Sequence, residues 1–184
     1  MSVFLQPLHI LDQAALTAYW ALYEAAFPPA ERKSPEEMRS GIHASAYDIW
    51  VIATPEQPVA GLAITVRHEN LVMLDYLAVD PSLRGQGIGH TALPLLRTKS
   101  GEGHFFLEIE VPTENCDNPI QRKRRKAFYL SAGLVETQVR AHIYDTNMEL
   151  LAYPEDAPFV TFEGYAKLVE ALFPPNMRVA QMDA

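Results

Sequence analysis

Leu74-Asp75-Tyr76-Leu77-Ala78-Val79-Asp80-Pro81-Ser82-Leu83-Arg84-Gly85-Gln86-Gly87-Ile88-Gly89 decides the reading of this chain. An apolar run ends at Asp80-Pro81-Ser82, and three alternating glycines follow. A helix is expected from Gly87 to Lys99, with Ile88, Ala92, Leu95 and Leu96 on one face. Glycine lets a backbone approach a ligand closely and take positive φ. A helix start adds unpaired N–H groups and the positive end of its dipole. Together these make an anion site, most naturally for phosphate.

Three kinds of phosphate loop compete. The P-loop ends in Gly-Lys-Ser/Thr, which is not here. The dinucleotide fingerprint wants glycine at its first, third and sixth places. Gly85 and Gly87 fit, but His90 stands sixth. The strand feeding the loop also closes an antiparallel meander and does not open a βαβ unit. The third kind is the spacing Arg84-x-x-Gly87-x-Gly89.

Working outward, Asp48 to Thr54, Val59 to Val66 and Leu71 to Val79 read as three strands joined by tight loops. Upstream, a short strand spans Val3 to Leu8. A helix from Asp12 places Leu16, Tyr19, Trp20, Tyr23 and Phe27 on one face and stops at Pro28-Pro29. Ser34-Pro35-Glu36-Glu37 starts a second helix, with serine as cap and glutamate at the third position. Downstream, Phe105 to Val111 is a strand ended by Pro112. Asn118-Pro119 opens a helix that closes at Gly133. Leu134 to Val139 and Asn147 to Tyr153 are strands. Thr161 to Phe173 is a last helix, with Tyr165, Leu168, Val169 and Leu172 inward, ended by Pro174-Pro175. The order is βααβββαβαββα: an α/β fold with a mixed sheet of about seven strands and helices on both faces.

Composition narrows the function classes. At 184 residues the chain is expected to form a single domain, 1–184, with 154–184 as its C-terminal helical extension. It carries 23 acidic and 15 basic residues, a formal net charge of −8. That balance argues against nucleic acid as a partner. One cysteine, Cys116, allows no internal disulfide, and no base is evident near it to make it a nucleophile. The six histidines show no HExxH spacing, so no metal is assigned. No apolar run approaches membrane-span length, and MSVFLQPLHILDQAAL does not resemble a signal peptide. A cytoplasmic setting without membrane association is the expectation.

The run Arg84-x-x-Gly87-x-Gly89 resembles the pyrophosphate-binding signature of the GNAT superfamily of N-acetyltransferases. Ala127-Phe128-Tyr129-Leu130-Ser131-Ala132-Gly133-Leu134 resembles the helix end that forms that family's second motif. The resemblance covers roughly Val3 to Tyr153. It implies a GNAT-like fold and an N-acetyltransferase that moves the acetyl group of acetyl-CoA directly to a primary amine of a small molecule or peptide. Acetyl-CoA is then a co-substrate, lying in a V-shaped split between the fourth and fifth strands. Two other readings stay open: a non-catalytic acyl-CoA-binding or regulatory module on the same fold, and a nucleotide-binding α/β protein that uses the loop for phosphate alone.

By the same resemblance, backbone amides of Arg84, Gly85, Gln86, Gly87, Ile88 and Gly89 hold the pyrophosphate. Leu77 offers its N–H to the thioester carbonyl, and Val79 pairs its backbone with the pantetheine arm. Tyr129 donates a proton to the departing sulfur. A phenol near ~10 and a thiol near ~8.5 make that transfer close to balanced. Phe106, Glu108 and Glu110 alternate onto one strand face. Glu108 falls where several family members carry a catalytic glutamate, acting directly or through water; a solvated or salt-bridged face is the other reading. Asp75 is a further candidate. The acceptor enters over Phe27 to Arg32, where Phe27 and Glu31 are substrate candidates and Glu31 is equally a plain loop charge. Two departures stand out. Pro94 lies inside the third helix, and Arg122 stands where many members carry asparagine. The run Arg122 to Lys126 reads as a solvated face or as a contact for a 3′-phosphate. The oligomeric state is open, a homodimer included.

Overall fold

Local chemistry sets most element boundaries. In the computed structural model, residues 2–113, 118–143, 145–173, 177 and 179–182 are described. Cys116 and the stop at Pro174-Pro175 lie outside them. The chain divides into two compact units, Met1–Val66 with Leu74–Gly101, and Arg67–Met73 with Glu102–Ala184. The fold is mixed α/β, with eight strands and five α-helices among the described residues.

In the first unit, β1 (Phe4–Pro7) pairs antiparallel with β2 (Tyr47–Ala53), and β2 with β3 (Gly61–His68). The order is β1-β2-β3-β4, where β4 is Leu71–Val79 and crosses into this unit after Met73. Between β1 and β2 run α1 (Gln13–Ala26) and α2 (Pro35–His43). The α2 start is the capping box expected from Ser34 and Glu37: the Glu37 amide donates to Ser34 Oγ and the Ser34 amide to Glu37 Oε2. Such a cap contributes about 1 kcal/mol. Gly41 is required by packing, because a Cβ there would lie 2.3 Å from the Tyr47 ring. α3 (Ile88–Lys99) continues through Pro94. Its buried face holds Ile88, Ala92 and Leu96 as expected, but Leu93 turns inward and Leu95 stays half-exposed. Val51, Ile52, Leu62, Ile64 and Tyr19 are buried without residual exposure.

In the second unit, β5 (His104–Glu110) pairs with β7 (Thr146–Ala152), and β6 (Val135–Ile143) lies between β7 and β8 (Val179–Gln181). The helices are α4 (Pro119–Ser131) and α5 (Phe162–Leu172). Three details add to the sequence reading. The described residues hold eight strands, in keeping with the expected sheet of about seven; the additional one, β8, is three residues long and pairs with Ala141–Ile143. β6 is longer than expected because it runs through an irregularity: Glu136 pairs with Leu151 and Arg140 with Glu149, and Gln138 takes φ +59°. Asn118 stands at the α4 start, but its side chain makes no cap; Oδ1 instead accepts from Arg122 Nε at 2.8 Å.

Candidate functional site

The glycine loop is built entirely within the first unit. β4 alternates, with Tyr76 and Ala78 buried and Asp75, Leu77 and Val79 half-buried on the other face. Asp80 stops it: Oδ1 accepts from the Ser82 amide at 2.8 Å and the Ser82 hydroxyl at 2.5 Å. These bonds hold its carboxyl below the usual carboxylate range. The chain then turns through Pro81–Leu83, and Arg84 Nε reaches back to the Val79 carbonyl at 3.2 Å. Arg84 therefore clasps the loop against its own strand. Gly85 and Gly87 take φ of +80° and +79°, a region that disfavours every residue with a Cβ.

Gly87 is the N-cap of α3 and, being glycine, offers no capping side chain. The first-turn amides of a helix have no partner within it. A Cβ placed on Gly85 or Gly87 would meet no described atom within 4 Å. Bare backbone, uncapped amides and open space beside both glycines are what an anion the size of a pyrophosphate needs.

The acceptor candidates belong to the same unit but not to one function. The Phe27 ring packs edge-on against Tyr76, with centroids 4.7 Å apart, and lies tilted against Tyr23 at 5.5 Å. The Glu31 side chain is exposed, while its backbone carbonyl accepts the Tyr76 hydroxyl. Asp75 is bound to Lys33 at 2.6 Å, with the two side chains 11% and 8% exposed. The Lys33 ammonium also lies over the Tyr47 and Tyr76 rings, 5.5 and 5.3 Å from their centroids. Burial pushes the Asp75 carboxyl up, against the pull of the Lys33 ammonium. Asp75 is thus engaged in a buried pair. Sequence reading missed this pair, since nothing in the spacing of residues 33 and 75 signals it.

Glu108 and Tyr129 lie in the second unit. Glu108 Oε2 accepts the hydroxyl of Tyr165, a residue that sequence reading placed only in the apolar core. Glu110, two residues on, is tied to Arg122 at 2.7 Å and Arg125 at 3.5 Å. The two carboxylates expected on one strand face therefore have different environments. Tyr129 sits in the last turn of α4, its ring 5.0 Å from that of Phe128. Burial pushes its phenol up to about 12, although the Arg125 charge pulls the other way. The basic run is largely consumed by pairing. Arg122 holds Glu110, and Lys126 holds Glu136 at 2.8 Å and the buried Glu149 at 2.7 Å; Lys123 and Arg124 are exposed.

A mixed α/β chain with a strand, a left-handed glycine loop and an open helix start presents bare backbone of the kind an anion can meet. The family model for acetyltransferases of the GNAT family matches residues 14–118, more than half of the chain, and the chain belongs to that family. No curated protein matches it by sequence. Among solved structures it is similar to a GNAT-family protein from Bacteroides thetaiotaomicron, at 20% identity and a TM-score of 0.69, over 92% of this chain and 97% of that one. It is also similar to the ribosomal-protein-S18-alanine N-acetyltransferase from Escherichia coli (21% identity, TM-score 0.55, 83% and 94% covered). A third is the spermidine N-acetyltransferase from Vibrio cholerae in complex with CoA and spermine (13% identity, TM-score 0.62, 85% and 98% covered). These likenesses are of fold. No helix among the described residues is long and apolar enough to cross a membrane.

Proposed function

We propose that this protein is an N-acetyltransferase that moves the acetyl group of acetyl-CoA directly to a primary amine of a small molecule or peptide. The observation that carries the reading is the pair of left-handed glycines opening onto the uncapped start of α3. Amides from Arg84 to Gly89 hold the pyrophosphate, and the backbone of Val79 guides the pantetheine arm. Acetyl-CoA, when bound, supplies an activated acyl group on a leaving thiol. The Leu77 N–H donates to the thioester carbonyl oxygen as negative charge builds there. Glu108 takes a proton from the acceptor ammonium, directly or through water, so that nitrogen attacks as a neutral amine. The C–N bond forms, the C–S bond breaks, the attacking nitrogen releases its second proton to solvent, and the products are an amide and free CoA thiol.

Tyr129 meets the sulfur as it leaves. With its phenol near about 12 it is a weaker acid than a thiol of about 8.5. Transfer is therefore less balanced than an unperturbed phenol would make it. Tyr129 acts chiefly by donating a hydrogen bond to the developing thiolate, whose proton is completed from solvent. Acceptors named for similar structures, a ribosomal-protein alanine and spermidine, are both amines and support that class here.

The test is release of free thiol from acetyl-CoA across a panel of polyamines, amino acids and peptides with free N-termini. Turnover with at least one amine is expected. Tight CoA binding with no turnover across the panel would favour the non-catalytic module.

A further inference from the structure

We infer that Tyr165 is a positioning residue: from the C-terminal helix it holds the Glu108 carboxylate in the orientation that proton transfer requires. This rests on the reading of Glu108 as the base. The helix that supplies it lies beyond residues 14–118, the part of the chain matched by the family model.

The geometry restrains Tyr165 from several sides. Thr161 caps α5 by accepting from the Gly164 amide at 3.2 Å. Gly164 sits against Leu71, where a Cβ would come within 2.9 Å of the Leu71 side chain. Tyr165, Leu168 and Val169 form the buried face, and Tyr165 has no exposed surface. Its ring stands edge-on to Phe106, centroids 6.1 Å apart. A tyrosine hydroxyl in such a place needs a partner. Here it donates to Glu108 Oε2. Phe106 and Glu108 are two residues apart on one face of β5, so one side chain packs the ring and the other receives the hydroxyl.

Charged groups on the neighbouring elements have partners of their own. Glu110 on the same strand is paired with Arg122 and Arg125 of α4. On α5, Glu163 and Lys167 pair with each other at 2.8 Å on the exposed side. On β7, Leu150 stands opposite Glu108, and Glu149 is held by Lys126. On the segment leading into α5, Asp156 lies 3.5 Å from His104. A hydroxyl donated to a carboxylate favours its charged form. Its removal makes Glu108 easier to protonate and leaves the side chain less restrained.

The experiment compares wild type, Tyr165→Phe, Glu108→Gln and the double variant, with one acceptor amine so that the amine's own titration is common to all. Turnover is measured against pH alongside melting curves. In Tyr165→Phe the acid limb should move to higher pH by about one to two units, the worth of one hydrogen bond to a charged group. In the Glu108→Gln background the same substitution should leave turnover unchanged, because the pair acts as one unit. Site-specific fluorotyrosine at 165, a stronger donor that keeps the packing, should move the limb to lower pH, and it decides the question if Tyr165→Phe does not fold. A slow Glu108→Gln together with an unmoved limb in the Tyr165 variants would overturn this inference alone. Wild-type turnover in Glu108→Gln would overturn the base assignment itself.

Discussion

Gly87→Ala and Gly101→Ala form a matched pair that isolates ligand contact from backbone strain. Both glycines are left-handed, at φ +79° and +66°, and at both an added Cβ would meet no described atom within 4 Å. Neither substitution creates a clash, so the cost to folding is conformational, about 1–2 kcal/mol for a residue other than glycine in that region. For a chain of this size that lowers Tm by roughly 2–8 °C. The two variants should be destabilised alike. They should differ in acetyl-CoA binding, because only Gly87 lies where a pyrophosphate would rest on bare amides. Alanine keeps the amide, but its Cβ takes up space the anion would occupy; an anion held off one amide loses about 1.5–3 kcal/mol, or roughly 10- to 150-fold in affinity. Calorimetric titration with acetyl-CoA and melting curves on both proteins supply the comparison. Equal affinities in the two folded variants would refute the loop assignment.

Tyr129→Phe should retain acetyl-CoA binding and lose turnover, and the loss should shrink with an acyl donor whose leaving thiol is more acidic; an equal loss with both donors would return Tyr129 to packing. Lys33→Met should destabilise the protein by about 3–5 kcal/mol, because it strands the buried Asp75 carboxylate. Adding Asp75→Asn should recover part of that in denaturant melts, and simple additivity would show the pair to be uncoupled. At high pH the sign follows from the phenols. Burial pushes Tyr47 and Tyr129 up to about 12, while an unfolded phenol ionises near ~10. Stability should therefore be unaffected by these groups below about pH 10 and should fall as pH rises from there toward 12. Tyrosinate absorbance read beside circular dichroism checks this, and ionisation of all eight tyrosines near pH 10 in a native protein would contradict it.

Local signals in the sequence were enough for most features that act over one turn or one loop, the α4 cap being an exception because the nearby Arg122 side chain takes the Asn118 oxygen. Ser34-Pro35-Glu36-Glu37 states a capping box because cap and partner are three residues apart, and both bonds form. Gly85 and Gly87 announce their conformation because only glycine takes positive φ without strain. The helical spacing of Tyr165, Leu168 and Val169 names a face, since period alone assigns it. What those faces meet is a different matter, settled by packing between elements distant in the chain. Glu108 and Tyr165 are 57 residues apart, and their contact depends on the seating of α5, which no periodicity records. Lys33 leaves a loop to neutralise Asp75 on a strand, 42 positions further along the chain. β8 exists only because β6 offers it an edge. A hydrophobic pattern specifies which side of an element avoids water; which polar group a buried hydroxyl or ammonium finds there is decided by the folded backbone, because that pairing is made only after the surrounding water has been excluded.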